Sequence, residues 1–146
     1  MELRITVDTE WTPSQQQGRI RNSDRDASYE ALRATQDGKN DRSPERLLLA
    51  AISTCYSITL SAILAAARLP QSLIDVHAEA VVLADAGGTH LTRITVSPVL
   101  HGADCSRPER YTRAAIAARD ACAIGRCVRG NIAYLVGPVA ILGAAA

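Results

Sequence analysis

Aromatic side chains are scarce in this chain of 146 residues: they make up 3% of it, and phenylalanine is absent. A surface on which nucleic-acid bases or sugars could stack is therefore not expected. The net charge is +1 and no basic block or stripe occurs, so neither nucleic acid nor an anionic membrane is an expected partner. The core must be built from Leu, Ile, Val and many Ala residues. At this length we expect a single domain over residues 1–146.

The N-terminus has no apolar signal region, because MELRITVDTE is charged and alternating. We therefore expect a cytoplasmic protein. A structural disulfide framework is not expected in the cytosol. The four cysteines are consequently candidates for catalytic, redox or metal-binding roles.

A metal site is not expected from the spacing of the cysteines and histidines. No C-x-x-C pair occurs, and the interval from Cys122 to Cys127 is unusual for zinc. His77, His90 and His101 do not pair at helical or zinc-finger spacing. We expect neither a metal nor a bound cofactor.

One segment, residues 47–67, contains no charged residue and is about as long as a membrane span. Six hydroxyl-bearing residues lie between positions 53 and 61, however, whereas a membrane span is richer in large apolar side chains. We interpret the segment as a helix buried in protein on most sides, and expect no membrane partner.

The pattern of apolar residues predicts an α+β fold. Leu3, Ile5 and Val7 alternate with polar residues and predict a half-buried strand. Ser43-Pro44-Glu45 is a favourable helix start, and Pro70 ends that helix after about Arg68. The remaining predictions are a turn at 12–18, weak strands near 19–24 and 27–34, a loop at 35–42, strands at 74–82 and from the Asp85–Gly88 turn to about 100, a loop at 101–106, a helix at 108–121, chain breaks at Gly125 and Gly130, and a last strand at 131–142 with Pro138 at a bulge or edge.

This order of strands, long helix, hairpin, helix and strand is typical of α+β proteins rather than of alternating βαβ units. The long apolar helix needs cover on all sides, which a chain this short cannot easily supply. We therefore predict a homodimer whose partner completes the core.

Cys55 lies in the middle of the long helix, where a lone cysteine is most often a small core residue. Only about 3% of an unperturbed thiol is ionised at neutral pH, so a nucleophilic role requires a nearby cation. Glu45 could hold an arginine in place, but ten residues of helix span roughly 15 Å. Glu45 would approach Cys55 only if two copies of the helix crossed antiparallel, which favours a site shared between subunits.

Two stretches resemble the OsmC/Ohr family (osmotically inducible protein C and organic hydroperoxide resistance protein). SPERLLLAAISTCYSITLSAIL is similar to the signature helix of that family, with Cys ten positions after Glu. ACAIGRCVRGNI resembles its second-cysteine segment, including the closing Arg129-Gly130-Asn131-Ile132. The hairpin and helix between them match in order and length, so the resemblance covers essentially the whole chain.

The resemblance implies an intertwined α+β homodimer, with a long central helix packed against antiparallel sheets and two active sites at the interface. It assigns peroxide attack to Cys55 and disulfide formation with it to Cys122. Glu45 would orient an arginine over the reactive thiol. We assign that arginine to Arg33, as in the OsmC branch, because Gln16 occupies the place that the Ohr branch uses.

Arg19 and Arg21 are alternatives to Arg33, and each of the three could also be an ordinary solvated charge. The family usually has Pro directly after the second cysteine, where this chain has Ala123, and Gly125 replaces a small hydroxyl residue. Cys127 is additional to the family pattern; a packed core residue is favoured over an alternative resolving thiol. Cys105 is expected to be a bystander.

The implied function is that of a thiol-dependent peroxidase that reduces organic hydroperoxides and is reset by a small dithiol or thiol reductant. The missing Pro and the unsettled arginine leave a rival: a non-enzymatic OsmC-like protein that binds a hydrophobic small molecule at the dimer interface. A redox sensor is a further alternative, disfavoured because no basic surface supports DNA binding.

Overall fold

A six-stranded sheet and three helices form the part of the chain that the computed structural model describes, residues 1–21 and 44–144. The predicted α+β class is confirmed. The elements are β1 (Glu2–Thr12), a 3-10 turn (Pro13–Gln15), β2 (Gln17–Arg21), α1 (Pro44–Ala66), β3 (Leu73–Asp85), β4 (Gly88–His101), α2 (Pro108–Ala121), α3 (Ala123–Val128), β5 (Ala133–Val136) and β6 (Ala140–Ile141).

The sheet is mostly antiparallel, in the order β2-β1-β3-β4-β5, with β6 also paired to β4. β3 and β4 form the predicted hairpin, and Asp85 lies opposite Gly88 at its turn. β5 and β6 both run parallel to β4. Because both pair with the outer side of β4, the end of the chain forms one edge of the sheet.

One face of the sheet packs against α1. The alternation of β1 places Ile5, Val7 and Thr9 on the buried face. Within that interface the hydroxyl of Thr9 hydrogen-bonds the Ser53 hydroxyl of α1, with 2.6 Å between the oxygens. The rest of the core consists mainly of aliphatic residues from α1, β3, β4 and α2.

The predicted ends of α1 are confirmed within about two residues. Pro44 and Glu45 begin the helix, as expected from their preference for its first turn. At the other end Arg68 adopts a left-handed conformation with φ 55°. The amide of Leu69 donates to the Leu64 carbonyl at 2.9 Å, and that of Arg68 to the Ala65 carbonyl at 3.1 Å. These two bonds form a Schellman motif, and Pro70 follows it.

The C-terminal part differs from the prediction in two places. Gly125 does not break the chain but lies buried within α3. The single strand expected at 131–142 is instead two short strands separated by Gly137, Pro138 and Val139. Proline has no N–H to donate to the ladder, which accounts for the interruption. The strand expected at 27–34 and the loop at 35–42 lie outside the described residues.

Helix α1 is long and apolar enough to cross a membrane by length and composition, but 44% of its most apolar window is buried within the protein. It packs against β1, β3, α2 and α3. These contacts are those of a core helix, which satisfies the same two criteria.

Candidate active site

The two cysteines that the sequence pairs, Cys55 and Cys122, are neighbours in the structure. Cys55 lies in the middle of α1 and is partly buried, and Cys122 lies at the junction of α2 and α3. The two thiols are close enough to interact, and the Cys122 sulfur lies 4.0 Å from the carbonyl oxygen of Ile52 on α1. Both cysteines are free thiols. The fold thus brings together two thiols that are 67 positions apart in the sequence.

Cys122 is held as a neutral thiol. Its side chain is completely buried, and burial raises its pKa from 9.0 to about 11. The Gly125 amide donates to the sulfur at 3.4 Å and opposes this rise, whereas the Cys55 thiol reinforces it. Cys122 also caps the N-terminus of α3 through that bond. The site therefore contains one partly accessible thiol beside one that is sequestered and protonated.

Two tyrosines flank the thiol pair. The Tyr56 hydroxyl donates to the Ala115 carbonyl of α2 at 3.0 Å, and burial, then Cys122, raises its pKa far above the usual value. The hydroxyl of Tyr134, on β5, is fully buried, and burial followed by Cys122 also raises its pKa far above the usual value. Both side chains therefore remain protonated at any ordinary pH, and Tyr56 acts as a hydrogen-bond donor.

The predicted carboxylate, Glu45, occupies the first turn of α1 and is half-buried. It precedes Cys55 by ten residues, so it lies roughly 15 Å away along the helix axis of its own chain. The fold of one subunit does not bring these two residues together.

Of the three arginines predicted to lie near the thiols, the structure describes the side chain of Arg19 alone. Arg33 lies outside the described residues, as does the side chain of Arg21. Arg19 is exposed on β2, opposite Glu10 of β1. A cation that does act near the thiols is Arg119, at the end of α2, whose charge lowers the pKa of Tyr56 against the effect of burial.

The expectation that Cys127 is a packed core residue is wrong. Its side chain is exposed on α3, and its thiol donates to the Ala123 carbonyl one turn earlier at 3.5 Å. It is exposed because it lies on the side of α3 opposite the buried Gly125. Cys105 is likewise exposed, in the loop before α2. Within residues 1–21 and 44–144, no three His, Cys, Asp or Glu side chains are grouped as a metal site would require.

Residues 36–134 match the family described as OsmC-like protein. The chain belongs to the OsmC-like family. No curated protein matches it. The family assignment confirms the resemblance of the two cysteine segments, since both lie inside the matched range.

Solved structures with this fold include an OsmC-like protein of unknown function from Vibrio cholerae, 20% identical, with a TM-score of 0.56 over 66% of this chain and 63% of the other. An organic hydroperoxide resistance protein from Elizabethkingia anophelis is 23% identical, with a TM-score of 0.57 over 68% of each chain. An OsmC-like hydroperoxide resistance protein from Jannaschia is 15% identical, with a TM-score of 0.61 over 87% of this chain and 86% of the other. At these identities the similarity shows a shared fold. The chain spans less than two thirds of the length of the Vibrio cholerae protein.

Sequence reasoning missed Tyr134, whose ring packs on Gly125. An added Cβ at Gly125 would lie 3.0 Å from Cδ1 of that ring and closer still to Cε1, so only glycine fits there. The signal was present in two parts: Gly125 replaces a hydroxyl residue of the OsmC-like pattern, and Tyr134 is one of only five aromatic residues. Neither of these two features by itself predicts that Gly125 and Tyr134, nine residues apart, are in contact.

Proposed function

We propose that the protein is a cysteine-based peroxidase that reduces organic hydroperoxides through Cys55 and a Cys55–Cys122 disulfide. The observation that supports this is the proximity of a partly accessible thiol on α1 to a buried one at the start of α3. Two neighbouring free thiols form the minimal set for a peroxide reduction that ends in a disulfide.

The proposed cycle has three steps. The Cys55 thiolate attacks the outer oxygen of ROOH, the O–O bond breaks, and the alkoxide takes up a proton to leave as ROH. Cys55 is now a sulfenic acid. Cys122 then attacks that sulfur, the S–O bond breaks, and the thiol proton leaves with the hydroxyl as water. A small dithiol or two thiols reduce the disulfide, so no bound cofactor is required.

The homodimer supplies what one subunit lacks. Leu47, Ala51, Ile58 and Ala65 lie on one exposed face of α1, and Cys55 lies on the same side of the helix. Leu47 is 39% exposed and Ile58 44%, an apolar surface that a second copy of α1 would cover. An antiparallel crossing would bring Glu45 of one copy toward Cys55 of the other.

In that dimer we assign to Arg33 the guanidinium that keeps Cys55 ionised and stabilises the departing alkoxide, with Glu45 fixing its orientation. Arg19 and Arg21 remain alternatives. The aliphatic surroundings of Cys55 suit an alkyl hydroperoxide better than hydrogen peroxide. We propose a cytoplasmic location, where small thiols supply the electrons.

The experiment is turnover of cumene hydroperoxide by purified protein with dithiothreitol or dihydrolipoamide. Cys55→Ser should abolish turnover, whereas Cys105→Ser, which removes an exposed thiol away from the pair, should retain it. Full activity of Cys55→Ser would refute the assignment of the attacking thiol.

A second candidate, a non-enzymatic protein that binds a hydrophobic small molecule at the interface, is favoured by one observation. The pKa of Cys122 is raised to about 11, which disfavours its thiolate at neutral pH. A wild-type protein that consumes no hydroperoxide, yet binds an apolar fluorescent probe in its dimeric form, would support this function.

A further inference from the structure

The Tyr134 hydroxyl is one of three buried side-chain polar atoms in the described part of the chain that have no hydrogen-bond partner; the other two belong to Trp11 and Gln71. Leaving such a group unpaired is unfavourable, because the hydroxyl has lost its hydrogen bonds to water and gained none in the protein. An unpaired hydroxyl beside reactive groups therefore calls for a functional explanation.

The neighbours of this hydroxyl are the two thiols. It lowers the pKa of Cys122, and Cys122 and Cys55 both raise the pKa of Tyr134. The hydroxyl thus lies near the Cys122 sulfur without completing a hydrogen bond to it. A neutral thiol is a weak acceptor, whereas a thiolate is a strong one, so ionisation of Cys122 would complete the bond.

Gly125 fixes both donors that face this sulfur. Its amide donates to Cys122 at 3.4 Å, and the absence of a side chain leaves the space that the Tyr134 ring occupies. A methyl group at position 125 would displace the ring. The start of α3 and strand β5 therefore form one arrangement around Cys122, in which the Gly125 N–H bonds the sulfur and the Tyr134 hydroxyl lies nearby without a partner.

We propose that Tyr134 promotes disulfide formation by donating a hydrogen bond to the Cys122 sulfur as that thiol loses its proton. This proposal rests on the proposed peroxidase function. In the step concerned, Cys122 attacks the sulfur of the Cys55 sulfenic acid, the S–S bond forms and the S–O bond breaks. The thiol proton of Cys122 leaves with the hydroxyl as water, and Tyr134 keeps its own proton throughout.

The first test separates the two chemical steps. Reduced protein receives one equivalent of cumene hydroperoxide, and the sulfenic acid is quenched with dimedone at increasing times and quantified against disulfide by mass spectrometry. Tyr134→Phe should convert the sulfenic acid to the disulfide about tenfold more slowly than the wild type, as expected for loss of a hydrogen bond to a charged sulfur.

The control for this test is Tyr111→Phe. Tyr111 is also buried, but its hydroxyl donates to the Pro70 carbonyl at 2.8 Å and accepts from the Asp104 amide at 2.9 Å. This variant should lower stability without slowing disulfide formation. A wild-type rate of disulfide formation in Tyr134→Phe would overturn the proposal.

The second test needs no peroxidase activity. In a Cys55→Ser background, alkylation of Cys122 by iodoacetamide is followed between pH 7 and 10. Cys105 and Cys127 are blocked or substituted beforehand, so that only Cys122 contributes to the signal. Adding Tyr134→Phe should move the alkylation profile to higher pH, with a rate about three- to tenfold lower at a given pH. An unchanged profile would overturn the proposal even if the wild type is an active peroxidase.

If the profile shifts but the protein does not reduce peroxides, the peroxidase function is refuted and the interaction between Tyr134 and Cys122 is retained.

If Tyr134→Phe does not fold, Gly125→Ala provides the second variant, because its methyl group displaces the ring while the hydroxyl remains in the chain. Gly125→Ala should slow disulfide formation like Tyr134→Phe, and a normal rate in Gly125→Ala would contradict the arrangement.

Discussion

The two thiols lie in regions built in opposite ways. Cys55 is carried by α1, a 23-residue helix whose buried side is packed against sheet and helices. Cys122 begins a segment made of a six-residue helix and strands of four and two residues. Short elements with few buried neighbours open more easily than long core helices. Cys55 is therefore on the rigid side of the pair, and any approach of the two sulfurs to bonding distance falls to the segment after α2.

The largest expected difference between these regions is chemical. Cys55→Ser should eliminate peroxide consumption, a loss of at least about a thousandfold in a nucleophile-dependent reaction. Cys122→Ser should still consume one equivalent, because only the second step is lost. Under excess peroxide its Cys55 should accumulate as sulfinic acid, detectable by mass spectrometry. Equal overoxidation of Cys55 in the wild type and in Cys122→Ser would show that Cys122 does not protect Cys55.

The next difference is in stability, tested with matched leucine truncations. Leu60→Ala removes a fully buried side chain of α1 and should lower the free energy of unfolding by about 2–5 kcal/mol. Leu135→Ala changes a β5 side chain that is 44% exposed, and should lower it by about 1 kcal/mol or less. Urea denaturation measures both. Similar losses would mean that the C-terminal segment is as well packed as α1.

A smaller effect tests how α1 is tied to the sheet. Ser53→Ala leaves the buried Thr9 hydroxyl without its partner and should destabilise the protein by about 1–3 kcal/mol. Thr9→Val in the same protein removes that orphaned hydroxyl. The double variant should therefore be less destabilised than the sum of the two single variants. Strict additivity in denaturant titrations would show that the hydrogen bond contributes little.

The last effect is the pH dependence that the buried Cys122 thiol imposes. Native Cys122 keeps its proton up to about pH 11, whereas in the unfolded chain it ionises near its ordinary value of 9.0. Between these values the native state binds more protons, so the free energy of unfolding should fall as the pH rises from 9 to 11. In Cys122→Ala the fall should shrink and begin nearer pH 10, where Tyr56 and Tyr134 contribute in the same direction. An identical fall in both proteins would contradict the assignment.

The regions that the sequence predicts well are α1 and the β3–β4 hairpin, and the segment after α2 is predicted less well. The start of α1 follows from Pro44 and Glu45, and its end from Pro70, because capping and proline effects are local. The 74–100 hairpin follows from alternation and a glycine turn for the same reason. These are the regions in which a residue's conformation depends on its immediate neighbours.

The C-terminal segment depends on contacts that sequence position does not reveal. From the sequence alone, glycine at position 125 predicts a chain break. The Tyr134 ring packed on it explains why glycine is needed inside a helix. Because cysteine is usually buried, the sequence predicts Cys127 in the core, but tertiary packing decides which side of α3 is buried. The pairing of Cys55 with Cys122 came from the family pattern, and the neighbouring thiols agree with it; Glu45 and Arg33 remain predictions.

The sulfur of Cys122 also terminates a helix, since it accepts the Gly125 amide at the first turn of α3. In the proposed cycle the atom that anchors this backbone amide is also the atom that forms the disulfide. A change in the covalent state of that sulfur, such as disulfide formation, would alter its strength as a hydrogen-bond acceptor. The stability of the first turn of α3 would then change with it.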